Sequence, residues 1–86
     1  MKPLVSILIP CYNAAPWLAQ TLESALGQTW PKVEIIVIDD GSTDDSLSVA
    51  GQFDRPNLRI IAQRNQGAAA ARNRALEIAQ GEVIQF

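Results

Sequence analysis

Ile35-Ile36-Val37-Ile38-Asp39-Asp40-Gly41-Ser42-Thr43-Asp44 runs four β-formers straight into a carboxylate pair, a glycine and a helix-start signal. An apolar run of that length, bounded by turn residues, reads as a strand covered on both faces, as in a parallel sheet flanked by helices. Ligands of open α/β sheets sit outside the carboxyl ends of the strands, where acidic side chains accept from sugar hydroxyls or base N–H groups. Asp39 and Asp40 stand where such a crevice opens.

The pattern on either side repeats the theme. Leu4–Ile9 reads as a first strand stopped by Pro10, followed by a turn through Cys11, Tyr12 and Asn13. Pro16 suits a first helical turn, and Leu18, Leu22, Ala25 and Leu26 recur on one face of a helix ended by Gly27. Val33–Ile38 is the second strand. Ser42 or Thr43 is the expected cap of a short second helix ending near Phe53, with Asp44 and Asp45 in its first turn. After the turn Asp54-Arg55-Pro56-Asn57, Leu58–Ile61 reads as a third strand and Gln63–Gly67 as a loop. Ala68–Gln80 is an alanine-rich helix with Ala71, Ala75, Ile78 and Ala79 on one face, closed by Gly81. Glu82–Phe86 begins a fourth strand. The order β-α-β-α-β-α-β with short connections predicts an α/β fold of three layers, α/β/α, around a mostly parallel sheet.

Composition narrows the chemistry. Eighty-six residues, 48% hydrophobic and 19% charged, make one small globular domain; a chain of this size buries only roughly 60–65% of its unfolded surface. No apolar stretch approaches the ~20 residues of a membrane span, and no signal-peptide pattern follows Met1-Lys2-Pro3. The expected location is the cytoplasm. The single cysteine, Cys11, excludes an internal disulfide and reads as a packed side chain. The absence of histidine removes Ser-His-Asp and Cys-His chemistry and most zinc sites. Net charge is −2, with seven acids and two lysines up to Asp54 and five arginines and two glutamates after it. An anionic ligand therefore favours the second half, while the arginines are too few and scattered for a nucleic-acid surface.

Three segments are expected to meet above the strand ends: Pro10–Asn13, Asp39–Ser42 and Asn65–Arg72. Tyr12 offers an aromatic face for a base, Asp40 an acceptor for a base N–H or ribose hydroxyl, and Arg72 a planar donor fork for phosphate or carbonyl oxygens. The set reads as a nucleotide site, although neither G-x-G-x-x-G nor G-x-x-x-x-G-K-[ST] is present. Each part also has a structural reading. Asp39–Asp44 is equally a turn plus a cap, Tyr12-Asn13 a helix entry, one of Arg72 and Arg74 a solvated surface residue, and Trp17 and Trp30 core or partner-facing. Asp39 as the nucleophile of an acyl or phosphoryl enzyme has only its strand-end position in its favour.

Taken in order and spacing, Val5-Ser6-Ile7-Leu8-Ile9-Pro10-Cys11-Tyr12-Asn13, Ile38-Asp39-Asp40-Gly41-Ser42-Thr43-Asp44, Asn65-Gln66-Gly67 with Ala71-Arg72-Asn73, and Gly81-Glu82 resemble the start of family 2 glycosyltransferases of the GT-A fold. The resemblance covers essentially the whole chain and implies the nucleotide-binding, Rossmann-like half of such an enzyme, residues 1–86 being one partial domain. It implies a nucleotide-sugar donor, usually a UDP-sugar, and transfer with inversion to a hydroxyl acceptor, as in polysaccharide biosynthesis. By that likeness Pro10, Tyr12 and Asn13 lie along the base pocket and Asp40 receives the base N–H. Asn65, Gly67 and Arg72 complete the nucleotide contacts, and Asp39 shapes the turn.

The family places an Asp-x-Asp motif for Mg2+ or Mn2+ after a strand like Glu82–Phe86, and its general base later still. Neither is in this sequence, so the isolated chain is expected to bind no metal and to catalyse no transfer. Ala75 stands where relatives often have glycine. Open strand edges lead us to expect self-association, and contact of the full-length protein with a membrane surface, as a peripheral protein, is compatible with this reading. A non-catalytic nucleotide-binding module, or an interaction domain with an empty crevice, is the alternative.

Overall fold

The computed structural model describes residues 3–53 and 55–85. Its elements alternate throughout: β1 (Val5–Cys11), α1 (Ala15–Leu26), β2 (Val33–Asp40), α2 (Ser46–Gly51), β3 (Leu58–Gln63), α3 (Ala68–Ile78) and β4 (Val83–Gln85). All strand pairs are parallel, in the order β3-β2-β1-β4. The chain steps from β1 to β2 to β3 in one direction and then returns across the sheet to β4. A constant crossover hand therefore puts α1 and α2 on one face and α3 on the other.

The core divides accordingly. Ile35 and Val37 pack with Val5, Ile7, Leu18, Leu22 and Ala50 on the α1/α2 side, whereas Ile36 and Ile38 pack with Leu8, Ala71 and Ala75 on the α3 side. The run that reads as a strand covered on both faces is fully buried on both. Small side chains let α3 lie close to β1 and β2. Trp17 and Trp30 are not in the core, being 61% and 52% exposed. Among the described residues no helix is long and apolar enough to cross a membrane.

Several expected boundaries move, each for an identifiable reason. Pro10 does not stop β1; it lies within the strand, opposite Ile38. The Val5 N–H points to Lys32 O on the β2 side, so by alternation the backbone nitrogen of Pro10 points to the β4 side. The ladder to β2 therefore loses no bond at Pro10. Neither Ser42 nor Thr43 caps α2. Asp44 accepts the Ser46 N–H at 2.9 Å, while Ser42 and Thr43 are engaged with Asn13. Helix α3 ends at Ile78 rather than Gln80: the Ala79 N–H still reaches Ala75 O at 3.0 Å, but the two N–H groups after it are drawn away, Gln80 donating to Glu34 Oε2 at 2.6 Å and Gly81 to Ser6 Oγ at 2.8 Å. Phe86, expected to extend β4, lies outside the described residues, as does Asp54 of the expected turn.

Gly81 is where this last connection passes closest to β1. A Cβ there would meet the Ser6 hydroxyl and would lie 2.7 Å from Ser6 N and 2.9 Å from Leu4 O. Backbone atoms cannot swing aside as a side chain does. Gly81→Ala is expected to cost about 2 kcal/mol and lower Tm by roughly 10 °C; an unchanged thermal melt would show that β4 is not held here.

Candidate functional site

The alternation of side chains along β2 decides how the carboxylate pair is used. Asp39 follows Ile35 and Val37 to the α1/α2 face, and Asp40 follows Ile36 and Ile38 to the α3 face. Both are buried, Asp39 at 4% and Asp40 at 2% exposure. Neighbours in sequence, they fasten different loops.

Asp39 accepts from the Ser42 hydroxyl, which in turn accepts the Asn13 N–H at 2.9 Å. Asn13, at φ +50°, returns its own Oδ1 to the Thr43 N–H at 2.8 Å. Beside this pair, the Ser46 hydroxyl accepts the Ala14 N–H at 2.8 Å and donates to Asp44, whose other oxygen accepts the Ala15 N–H at 3.2 Å. The loop after β2 is thus laced to the loop after β1. Cys11 lies against the same group. Burial, reinforced by the Asp39 carboxylate, pushes its thiol pKa up despite a hydrogen bond with Ser46, which leaves little thiolate for nucleophilic chemistry.

Asp40 does the corresponding work on the other side. Its Oδ1 accepts from Gln63 Nε2 at 2.8 Å and from the Gln66 N–H at 2.9 Å, and its Oδ2 from the Gly67 N–H at 2.9 Å. Asn65 Nδ2 donates to the Asp40 carbonyl at 3.0 Å. A buried carboxylate is tolerated where such donors surround it. The Gln63 amide, helped by the Gln66 and Gly67 N–H groups and opposed by burial, holds the Asp40 carboxyl below its ordinary range. A carboxyl whose folded pKa is depressed stabilises the fold above its unfolded pKa of about 3.9 and loses that contribution as pH falls through the folded value. The Gln66 and Gly67 amide resonances should therefore titrate together, with a midpoint below about 3.9. A midpoint at or above that value would mean that these bonds do not fasten the loop.

Between the β1 tip and the start of α3 lies a cavity of about 240 Å³ lined by Pro10, Cys11, Tyr12, Asp40, Asn65, Gly67, Ala68 and Ala71. It lies beside the point where the strand order reverses, between β1 and β4, the position that favours ligands in such sheets. Tyr12, 52% exposed, forms its rim. Of the residues singled out in sequence, Pro10, Tyr12, Asp40, Asn65 and Gly67 come together here. Asn13 and Asp39 sit outside, in the lacing of the neighbouring loop, and Arg72 is exposed on α3 beside Ala71 without lining the cavity. Sequence reasoning missed Gln63 and Gln66, which hold Asp40, and Ala68, which with Ala71 forms the α3 wall. Gln63 was signalled only by register, since it pairs with Asp40 across β2 and β3.

The donor set does not suit a divalent cation. Among the described residues no group of three or more acids, cysteines or histidines stands close enough to hold one, and both buried carboxylates already accept protein hydrogens. What the cavity offers is one negative acceptor at the end of an otherwise neutral, partly apolar slot, suited to a flat heterocycle with an N–H.

Residues 6–86 match the family described as glycosyl transferase family 2. The UDP-Glc:alpha-D-GlcNAc-diphosphoundecaprenol beta-1,3-glucosyltransferase WfaP of Escherichia coli is 46% identical over 86 residues, covering 96% of this chain and 34% of that protein. Two solved structures superpose closely at 32% identity, each over 98% of this chain. They are the mannosyltransferase PcManGT from Pyrobaculum calidifontis in complex with GDP-Man and Mn2+, with a TM-score of 0.89 over 26% of that chain, and S. aureus TarS 1-349 in complex with UDP-GlcNAc, with a TM-score of 0.86 over 25% of that chain. The chain spans 24% to 35% of the length of curated relatives that are 43% to 46% identical to it.

Proposed function

This chain belongs to glycosyl transferase family 2, and from that premise we propose that it is the donor-nucleotide-binding portion of an inverting glycosyltransferase that uses a nucleotide-sugar, a UDP-sugar in the first instance. The cavity carries the reading. It opens at the carboxyl ends of β1 and β2, its aromatic rim and aliphatic walls fit a base, and its one charged group is an acceptor for a base N–H. Tyr12 and Pro10 cover the ring from the β1 side and Ala68 and Ala71 from the α3 side, while Asn65 and Gly67 close the far end.

In the reaction proposed for the longer enzyme, the acceptor hydroxyl oxygen bonds to the anomeric carbon as the bond from that carbon to the diphosphate oxygen breaks on the opposite face. The hydroxyl proton passes to a base, and the nucleoside diphosphate leaves. The residues described here bind and orient the leaving nucleotide; they supply neither that base nor a metal. Binding without transfer is therefore expected of this chain. Titration with UDP, followed by amide NMR, should shift the Tyr12, Gln66 and Gly67 resonances saturably. Shifts confined to the opposite end of the sheet, around Trp30, or none at millimolar UDP, would overturn the assignment.

A further inference from the structure

We propose that Gln63 is a specificity-determining residue: by filling Asp40 Oδ1 it leaves the carboxylate a single acceptor position, on Oδ2, so the cavity takes a base presenting one ring N–H, uracil or thymine, and rejects guanine. The inference rests on the nucleotide-site reading above and supplies what the fold does not. Closely superposable chains carry GDP-Man in one case and UDP-GlcNAc in another, so discrimination between bases has to come from side chains.

An ionised carboxylate has about four acceptor positions, two on each oxygen. Oδ1 accepts from both Gln63 Nε2 and the Gln66 N–H, whereas among the described residues Oδ2 accepts only from the Gly67 N–H. The sense of the Gln63 amide is fixed by chemistry, because an acceptor-only carboxylate must face its NH2. Its position is fixed by the sheet, where Gln63 and Asp40 are register partners at the ends of β3 and β2.

The nucleobases differ in what they turn toward such a group. Uracil and thymine present one ring N–H between two carbonyls. Guanine presents a ring N–H and an exocyclic amine side by side, a pair that engages both oxygens of a carboxylate. Cytosine and adenine present a ring nitrogen lone pair, which a carboxylate repels. A single vacant position on Oδ2 satisfies uracil or thymine completely. With guanine, the second donor meets an oxygen already filled by Gln63 and the Gln66 backbone, and a buried donor left unpaired is costly.

The test is a panel of UDP, dTDP, GDP and CDP titrated against the wild-type chain and Gln63→Met, which keeps the length of the side chain and removes its donor. In wild type, UDP and dTDP should bind at least about tenfold more tightly than GDP and CDP. In Gln63→Met, the ratio of GDP to UDP dissociation constants should fall toward one while CDP stays weak, a change in ratio that a merely loosened loop does not produce. Equal binding of GDP and UDP to wild type overturns the inference and leaves the nucleotide site standing. So does a variant that weakens every nucleotide by the same factor. Failure of all four to bind removes both. The wild-type panel decides the first point even if the variant folds poorly.

Discussion

Asp40→Ala is expected to abolish measurable nucleotide binding and to release the 64–67 loop while the two halves of the core remain folded. The carboxylate is the shared acceptor of Gln63 Nε2 and the Gln66 and Gly67 N–H groups. Alanine offers none of them a partner, so the loop must open to water to rehydrate its amides. The cavity loses its far wall and its only charge in one step, and the expected fall in UDP affinity is about 100-fold. Hydrogen exchange gives the independent readout: the Gln66 and Gly67 amides should lose protection, whereas Ile36 and Ile38, buried in β2, should not.

Asp40→Asn separates charge from shape. One carbonyl oxygen can keep the Gln63 and Gln66 bonds, but the new NH2 faces the Gly67 N–H, donor against donor. It would also turn a donor toward the base N–H. Binding should therefore fall nearly as far as in Asp40→Ala while the loop keeps part of its protection. If Asp40→Asn bound UDP like wild type, the negative acceptor would not be what the base meets.

The layered parallel fold was legible because its signals are local and redundant. The β2 run is too apolar to face water on either side, and Leu18, Leu22 and Ala25 mark one stripe of α1. Boundaries were less legible where a partner far along the chain sets them. Pro10 is accommodated in β1 because its nitrogen faces away from the β2 ladder, and α3 ends where Glu34 and Ser6 capture the Gln80 and Gly81 amides. No pattern within α3 carries that information.

The candidate site divides in the same way. Pro10, Tyr12, Asp40, Asn65 and Gly67 sit at strand and helix ends, and topology alone brings such ends together. Asp39 and Asn13 share those ends, yet they went to the lacing between loops, because the period of two along β2 separates adjacent carboxylates onto opposite faces. The turn-and-cap reading and the ligand reading of the Asp-Asp-Gly-Ser-Thr-Asp stretch both describe it: one half builds the loops, and Asp40 both builds its loop and faces the cavity. Gln63 was invisible for a different reason. Its importance is a register relation between two strands, which no single segment encodes.

Gly41→Ala should couple the two functions of this corner most clearly. Gly41 has φ +71°, and a Cβ there would lie 2.6 Å from Asn65 N, 3.0 Å from Asn65 Cβ and 3.1 Å from Asn65 Cα. The left-handed conformation alone costs a non-glycine residue roughly 1–2 kcal/mol. The close approach adds to it, because relieving the clash moves the Asn65 backbone and with it the 3.0 Å bond from Asn65 Nδ2 to Asp40 O and the two amides behind it. A total of about 3 kcal/mol is expected in denaturant melts, with UDP affinity reduced at least about tenfold. Gly67→Ala is the control. Its φ is +100°, but a Cβ there meets nothing within 4 Å, so that substitution carries backbone strain without a clash. Wild-type stability and UDP affinity in Gly41→Ala would mean that the β2 turn is not pressed against the Asn65 segment in solution, and that the cavity between Asp40 and α3 is not preformed.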